Sequence, residues 1–498
     1  MSIQAFGTLL TPITARDDNL PQSGHQPPAS GCSIRKTVSR PSLVLSNQPG
    51  AHFLDTAPTT APAPVTLGVS FKYWLKLGFI SFGGPAGQIS MMHQELVEKR
   101  RWISEHRYLH ALNYCMLLPG PEATQLAIYI SWLMHGIRGG IIAGVLFFLP
   151  SFLLLSLLAG LYLAYGELPL VQGIFYGIKP AVVAIVLFAA WRIGSRALKN
   201  AVLWTMAALA FIGIFVFNIA FPWIVLAAGL LGAIGGKLLP HKFRTGNGHG
   251  ASAKEYGPAI IDDDTPPPAH ARFTWRKLAF KLGAFMLIWL GAMATIYGMP
   301  DLFHMGDFFT KAAFLTIGGA YAVLPYVYQG GVEHYQWLTG PQMMDGLALG
   351  EATPGPLIMI VTWVGYLGGV AKGVFDNPVL AGLAGAAVAT FFTFLPSFLF
   401  ILVGGPLVEA TRGEIRFTAP LTGITAAVVG VILNLAVFFA WHTFWPQGTA
   451  DAPFAGVFEW FPVIVAVAAF IALWKYKADI MKVIGVCALV GLVHSILM

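Results

Sequence analysis

The sequence predicts an all-α polytopic membrane protein made of two homologous, inverted repeats that contain broken or re-entrant helices. Three observations predict this fold class. Hydrophobic residues make up 56% of the 498-residue chain, whereas charged residues make up only 11%. Apolar runs of about 20 residues, the length that crosses a bilayer as a helix, recur from near residue 66 to the C-terminus. The helix-breaking tripeptide Pro-Gly-Pro occurs at 119–121 and again 235 positions later, at 354–356.

The composition also limits the partners of the chain. Soluble domains are about one quarter charged, and the mean hydropathy here is +0.68. A net charge of +7 is typical of cytoplasmic loops rich in Lys and Arg, so we expect a lipid bilayer and no nucleic acid as partner. Cys32, Cys115 and Cys487 are too scattered for a metal or redox motif. The sequence therefore predicts no metal site and no cofactor.

The chain divides into five predicted segments. Residues 1–62 are polar and rich in Ser, Thr and Pro, which predicts a disordered N-terminal tail. Residues 63–239 form the first repeat, and residues 240–274 form a polar, Pro- and Gly-rich cytoplasmic linker. Residues 275–300 are a linking transmembrane helix, and residues 301–498 form the second repeat.

The repeats are recognised by matches 235 positions apart, which need no gap over the first stretch. Matched groups are Gly83-Gly84 with Gly318-Gly319, Trp102 with Trp337, and Pro119-Gly120-Pro121 with Pro354-Gly355-Pro356. After 11 extra residues in the second half, "FLPSF" at 148–152 aligns with "FLPSF" at 394–398. Such a collinear series predicts an internal duplication.

Loop charges predict the orientation. Loops at 192–199, 237–244, 412–416 and 475–482 contain Lys and Arg, whereas connections such as "YGELP" and "FNIAFP" contain neither. The basic loops are therefore expected in the cytoplasm, as are the N-terminus and the basic stretch 98–107. The segments before the first long span must then cross the membrane an even number of times, which two re-entrant hairpins satisfy. With this number of crossings, the second repeat is inserted in the opposite orientation to the first. We expect a multi-pass protein of the cell inner (cytoplasmic) membrane.

The Pro-Gly-Pro boxes predict an anion site. A helix break within lipid leaves backbone polar groups unpaired, so it persists only where protein or a water-filled cavity receives them. Pro121 and Pro356 are each suited to begin a half-helix. The first-turn amides of a half-helix carry partial positive charge and bind oxyanions. An alternative interpretation is that the prolines only kink packed helices.

Two lysines at equivalent positions strengthen this hypothesis. Lys76 and Lys311 lie in apolar segments, where a charge costs about 2.5–3.5 kcal/mol at a helix centre. Two ammonium groups would match a dianion, although each lysine could instead extend to the membrane interface. Lys179 aligns with Thr425, and it is either a site lysine or an interfacial one.

The predicted substrate-binding residues are Lys76, Lys311, Gly83, Gly84, Gly318, Gly319, Pro119, Gly120, Pro121, Thr124, Gln125, Thr353, Pro354, Gly355 and Pro356. The glycine pairs are either tips of a second pair of hairpins or close-packing residues. Glu122, Glu351 and Lys179 are candidates for coupling transport to protons, because ionisable residues within a membrane often mark proton pathways. Glu122 could equally favour the dipole of its helix, and it does not align with Glu351.

The same motifs resemble a known family. "FISFGGPAGQISMMHQELVEKRRWIS", "LLPGPEATQLAIYI" and "GGIIAGVLFFLPSF" resemble the first domain of the chromate ion transporter family, of the long-chain, two-domain type. "IGGAYAVLPYV" and "ATPGP" resemble its second domain. The resemblance covers roughly residues 66–497 and implies a transporter that moves chromate by efflux. The tail and the linker depart from the family pattern.

The predicted function is chromate export, and thus chromate resistance, by a secondary transporter. Sulfate, also a tetrahedral dianion, is expected to compete. A dianion leaving a negative interior gains about 2.3 kcal/mol per charge at 100 mV, so export can run downhill. The alternatives are a proton-coupled sulfate or oxyanion importer and an anion channel. No phosphate-binding loop or catalytic motif predicts an enzyme, and the sequence leaves a homodimer open.

Overall fold

The computed structural model of the protein describes residues 62–82, 84–243, 256–317, 319–410, 418–448 and 454–497. This part of the chain is built from helices, with an isolated bridge between Ile103 and Ile261. The predicted tail, except for Pro62, lies outside the described residues, as do residues 244–255 of the linker, Gly83 and Gly318.

The first repeat is a series of helices interrupted by short breaks. Its helices are α1 (Leu67–Ile80), α2 (Gly84–His93), α3 (Glu105–Leu117), α4 (Glu122–Tyr165), α5 (Pro169–Ala197), α6 (Ala201–Phe215) and α7 (Phe221–Leu238). A π-helical turn, Gln94–Lys99, follows α2 directly. A short α8 (Pro240–Phe243) and the linking helix α9 (Trp275–Thr295) lead to the second repeat.

The second repeat has the same order of elements. Its helices are α10 (Pro300–Leu315), α11 (Ala320–Tyr328), α12 (Gly340–Ala352), α13 (Ile360–Ala371), α14 (Pro378–Ala410), α15 (Thr418–Phe444), α16 (Trp460–Trp474) and α17 (Ile480–Leu497). A second π-helical turn, Gln329–His334, lies 235 positions after the first. Helices α13 and α14 together correspond to α4, which is itself broken at Gly136 by a non-helical backbone conformation.

The backbones of the repeats agree even at unusual positions. Arg101 and Gln336, 235 positions apart, have φ angles of 51° and 53°. Asn218 and Lys477, in the loops after α6 and α16, have φ angles of 49° and 51°. Because non-glycine residues rarely adopt positive φ, these paired exceptions support the duplication.

Equivalent residues also begin equivalent helices. The Ser104 hydroxyl accepts a hydrogen bond from the Arg107 N–H at 3.3 Å and caps α3. The Thr339 hydroxyl accepts one from the Gln342 N–H at 3.3 Å and caps α12, where the Gln342 side chain completes a capping box. These caps fix the start of the two helices that lead into the Pro-Gly-Pro boxes.

Helix length separates spanning helices from broken ones. Seven helices are long and apolar enough to cross a membrane among the described residues: α4, α5, α7, α9, α14, α15 and α17. Helices α6 and α16, also predicted as spans, are apolar but have only 15 residues each. Helices α1 and α3 have 14 and 13 residues, or about 20 Å at 1.5 Å per residue. Neither helix alone can cross a hydrocarbon core of about 30 Å. Such short helices are what the predicted re-entrant hairpins require.

The repeats are inverted. The equivalent helices α4 and α14 pack side by side, with Gly144 against Phe398, Gly140 against Leu402 and Trp132 against Gly405. As residue numbers fall along α4 they rise along α14, so the two helices run in opposite directions. This antiparallel packing of equivalent helices confirms the inversion predicted from loop charges.

The repeats also exchange helices. Helix α5 packs against α16 and α17 of the second repeat, and α15 packs against α6 and α7 of the first. Glycines allow the close approach, since Gly177 lies against Gly491 and Gly423 lies against Gly232. The two repeats therefore share one packed helical body.

Candidate functional site

The two Pro-Gly-Pro boxes lie where helices end. Helix α3 ends at Leu117 and α4 begins at Glu122, so the first box connects them in an extended conformation. The second box follows α12 and leads through a 3₁₀ turn, Leu357–Met359, into α13. Gly120 and Gly355 have φ angles of +119° and +114°, a region that only glycine adopts readily.

Each box bonds to a break in the other repeat. The Gly120 N–H donates to the Thr316 carbonyl at 2.7 Å, and the Gly355 N–H donates to the Ser81 carbonyl at 2.9 Å. Thr316 and Ser81 are equivalent residues in the breaks after α10 and α1. These two hydrogen bonds are thus related by the symmetry of the repeats, and they tie four helix breaks into two junctions.

The serines of the two "FLPSF" motifs complete the junctions. A Cβ on Gly355 would lie 2.8 Å from Ser151 Cβ, and a Cβ on Gly120 would lie 2.7 Å from Ser397 Oγ. We call the group Ser81, Gln88, Ser151 and Gly355 the first junction. We call the group Gly120, Gln125, Thr316 and Ser397 the second junction.

The junctions flank the symmetry axis. Phe148 and Phe394 are equivalent, and their rings stack on each other with centroids 4.5 Å apart. Each ring lies one helical turn from the junction serine of its own helix, Ser151 or Ser397. Both junctions therefore lie close to the axis that relates the two repeats.

Each box has one carbonyl that accepts a hydrogen bond from a glutamine side chain. Gln88 Nε2 donates to the Gly355 carbonyl at 2.6 Å and to the Ser81 carbonyl at 3.2 Å. Gln125 Nε2 donates to the Pro119 carbonyl at 2.7 Å and lies 3.4 Å from Ser397 Oγ. The predicted site included Gln125 but not Gln88.

Several buried polar atoms around the junctions have no partner among the described residues. They are Ser81 Oγ, Gln88 Oε1, Thr124 Oγ1, Gln125 Oε1 and Ser151 Oγ. All five side chains belong to residues that are at most 1% exposed. Because buried polar groups are nearly always hydrogen-bonded, this cluster indicates a place for a polar ligand or water. Its three hydroxyls can each donate to an anion.

The remaining predicted residues differ in their surroundings. The Thr353 hydroxyl donates to the Gly350 carbonyl at 2.9 Å and is already bonded. Glu122 is half-buried in the first turn of α4, and the carboxylate of the half-buried Glu351 accepts a hydrogen bond from the Tyr321 hydroxyl. Gly84 and Gly319 have positive φ at the starts of α2 and α11.

The two paired lysines lie outside the buried cluster. Lys76 is exposed, and the side chain of Lys311 is 60% exposed and forms an ion pair with Asp307 at 2.5 Å. Their predicted role in binding the substrate stays a prediction.

Lys179 lines a separate polar cavity of about 660 Å³. Other residues of its lining are Tyr162, Glu167, Gln172, Tyr176, Gln342, Asp345 and His494. Asp345 is 3% exposed, and its Oδ2 accepts a hydrogen bond from the Tyr162 hydroxyl at 2.9 Å. Asp345 had no role in the sequence analysis, because an aspartate in a single copy matches no motif.

A buried ion pair occupies the equivalent place in the other repeat. Arg107, the counterpart of Gln342, donates from Nη2 to Glu409 Oε2 at 2.6 Å, and the Tyr129 hydroxyl donates to Glu409 Oε1 at 2.5 Å. Arg107 also donates to the carbonyls of Asp262 and Thr265 in the linker. The place in the first repeat that is equivalent to this cavity is thus occupied by an ion pair and by the linker.

No cluster of metal-ligating side chains occurs in the ranges that the structure describes.

Comparison with known proteins identifies the family. The family model described as chromate transporter matches residues 69–233 and 303–492. The chain belongs to the chromate transporter family. The two matched regions fall within the two repeats, so each repeat corresponds to one copy of the family's domain.

Relatives of this family cover nearly the whole chain. It is 32% identical over 446 residues to the chromate transport protein of Cupriavidus metallidurans, covering 89% of this chain and 96% of that protein. It is 33% identical over 441 residues to the chromate transport protein of Pseudomonas aeruginosa, covering 88% and 94%. A probable chromate transport protein of Synechococcus elongatus is 27% identical over 428 residues, covering 85% and 94%. No solved structure matches this chain.

The polar junctions lie within the two regions that the family model matches. The duplicated Pro-Gly-Pro and Leu-Pro-Ser-Phe sequences of this chain meet at these junctions, although they lie far apart in the chain. Sequence reasoning missed Gln88, Ser151 and Ser397; the two serines could have been found from the duplicated "FLPSF", which marks both of them.

Proposed function

We propose that the protein is a secondary transporter that exports chromate across the cytoplasmic membrane and thereby confers chromate resistance. The carrying observation is the first junction, where helix breaks of both repeats meet and the buried Ser81 and Ser151 hydroxyls have no partner among the described residues. Hydroxyls and first-turn amides recognise the oxygens and the charge of an oxyanion, and not its central atom. Sulfate is therefore expected to compete.

The orientation and partners belong to this proposal. With basic loops in the cytoplasm, the N-terminus is cytoplasmic, and the loop after α4 faces the exterior. We also propose the segment boundaries predicted from the sequence, a contribution of Lys76 and Lys311 to substrate binding, and a homodimer. The proposed activity is transport without catalysis.

Flux in inverted membrane vesicles tests the proposal. An exporter accumulates radiolabelled chromate inside these vesicles, with saturation, counterflow and competition by sulfate. A channel would follow the membrane potential without counterflow, and a proton-coupled importer would instead load right-side-out vesicles with acid outside. Either result would overturn export by a carrier.

A matched pair of variants links the flux to the boxes. Gly120→Leu places a side chain against Gln125 and Ser397, so we expect flux to fall to background while the protein still inserts. Gly283→Leu on α9 meets no atom within 4 Å and should transport normally. Equal flux by both variants would remove the boxes from the transport path.

A further inference from the structure

The polar cavity beside α12 contains two opposite charges that are not paired with each other. Among the described residues, Lys179 forms neither an ion pair nor a hydrogen bond, and Asp345 Oδ1 has no hydrogen-bond partner. The Asp345 carboxylate is nevertheless almost completely buried. A buried carboxylate oxygen without a hydrogen-bond partner, in a side chain that lines a cavity, is costly unless a ligand or a proton satisfies it.

The surroundings of the two groups limit the ligand. A metal cation at Asp345 would be repelled by the Lys179 ammonium in the same cavity. An oxyanion at Lys179 would be attracted by the ammonium but repelled by an ionised Asp345. Protonation of Oδ1 removes this repulsion, while Oδ2 keeps its hydrogen bond from the Tyr162 hydroxyl.

We propose that Lys179 and Asp345 form a second site on the transport path, in which Lys179 binds a tetrahedral oxyanion and Asp345 binds one proton together with it. The proton comes from solvent in the cavity and bonds to Oδ1, so the pair takes up one anion and one proton. This inference rests on the proposed function, and it assigns proton coupling to Asp345 rather than to Glu122 or Glu351.

Other titratable groups lie around Asp345. Those lining the cavity are Tyr162 on α4, Glu167 in the loop after it, Tyr176 and Lys179 on α5, and His494 on α17. The Tyr176 hydroxyl donates to Glu459 at 2.6 Å, and the His494 ring stacks on the Tyr176 ring with centroids 5.5 Å apart. Helices α13 and α15 also pack against α12 but contribute no lining residue in the described part of the chain.

Equilibrium binding of radiolabelled chromate to the purified full-length protein tests the site. Between about pH 5 and about pH 8, one linked proton changes an apparent Kd by up to about tenfold per pH unit. Chromate itself also titrates, but this contribution is identical for every variant. The informative quantity is therefore the Kd at about pH 8 divided by the Kd at about pH 5, compared between variants.

We expect Asp345→Asn to bind tightly at both pH values and to lower this ratio at least about tenfold relative to wild type. Tyr162→Phe, which keeps the carboxyl group but removes the bond that stabilises its ionised form, should move the loss of affinity to higher pH. Lys179→Gln should weaken binding at both pH values. Asp376→Asn, in the exposed loop after α13, is the matched control and should behave as wild type.

The outcomes separate this inference from the function. If the Kd ratio of Asp345→Asn equals that of wild type, or if it is His494→Gln that lowers the ratio instead, the coupling site is wrong. The proposal of chromate transport would still stand. Absence of saturable chromate binding by the wild-type protein at every pH would overturn the proposed function and the inference with it.

Discussion

Ser81 and Thr316 occupy equivalent positions in the two repeats, yet their hydroxyls differ. Thr316 Oγ1 donates to the Ala312 carbonyl at 2.7 Å, whereas Ser81 Oγ has no partner in the described structure. The same asymmetry extends along the chain: Gln88, Thr124 and Gln125 correspond to Val323, Met359 and Ile360. A symmetric backbone thus carries asymmetric side chains, which favours a polar site formed mainly by the first repeat.

Arg107 and Glu409 illustrate how a single pair can dominate local stability. Removal of one partner from a buried ion pair costs about 3–5 kcal/mol, because it leaves an uncompensated buried charge. We therefore expect Arg107→Met to lower the apparent melting temperature of the purified protein strongly. Replacing both residues with Met should recover most of this loss. Melting curves of the single and double variants measure the coupling.

The control is the exposed ion pair of Lys311 and Asp307, since exposed pairs contribute about 0–1 kcal/mol. Asp307→Asn should leave the melting temperature nearly unchanged. If Arg107→Met were as mild as Asp307→Asn, the buried pair would not stabilise the fold.

At the scale of elements, the sequence predicted the breaks better than their conformations. The segments 104–118 and 121–136, on either side of the first Pro-Gly-Pro box, predicted a hairpin, because each is short for a full span of the bilayer. The π-helical turns after α2 and α11 were not predicted, since no side-chain pattern distinguishes a π turn from the α-helix that it extends. The break of α4 at Gly136 lies where the sequence separates a short segment, 121–136, from the first long span, which begins at residue 140, so its position was predicted but its backbone conformation was not.

The loops after α6 and α16 test the inversion of these elements. Phe217 and Tyr476 are equivalent and highly exposed, at 69% and 72%. In a variant without native cysteines, Phe217→Cys should react with an impermeant thiol reagent added to intact cells, whereas Tyr476→Cys should react only after the membrane is opened. Labelling of both cysteines from the same side would contradict the inverted arrangement.

At the scale of the whole molecule, the duplication was readable but the contacts between the copies were not. Alignment shows that Gly120 is equivalent to Gly355, but not that each glycine bonds to the other repeat. That exchange depends on how α4 and α14 pack, which no match within the sequence encodes. For the same reason, the cavity at Asp345 and the ion pair at Arg107 were not predicted, since each joins residues far apart in the chain.

The central claim is that the hydroxyls in and beside the junctions that have no partner among the described residues, those of Ser81, Thr124 and Ser151, bind the transported oxyanion. Initial rates of chromate flux into proteoliposomes, measured against concentration, test it directly for wild type, Ser81→Ala, Thr124→Val and Thr316→Val. A hydrogen bond to a charged group contributes about 1.5–3 kcal/mol, so the ratio of maximal rate to half-saturation concentration should fall about tenfold or more in Ser81→Ala and Thr124→Val. Thr316→Val, whose hydroxyl is already bonded within α10, should match wild type. Equal ratios in all four proteins would contradict the claim.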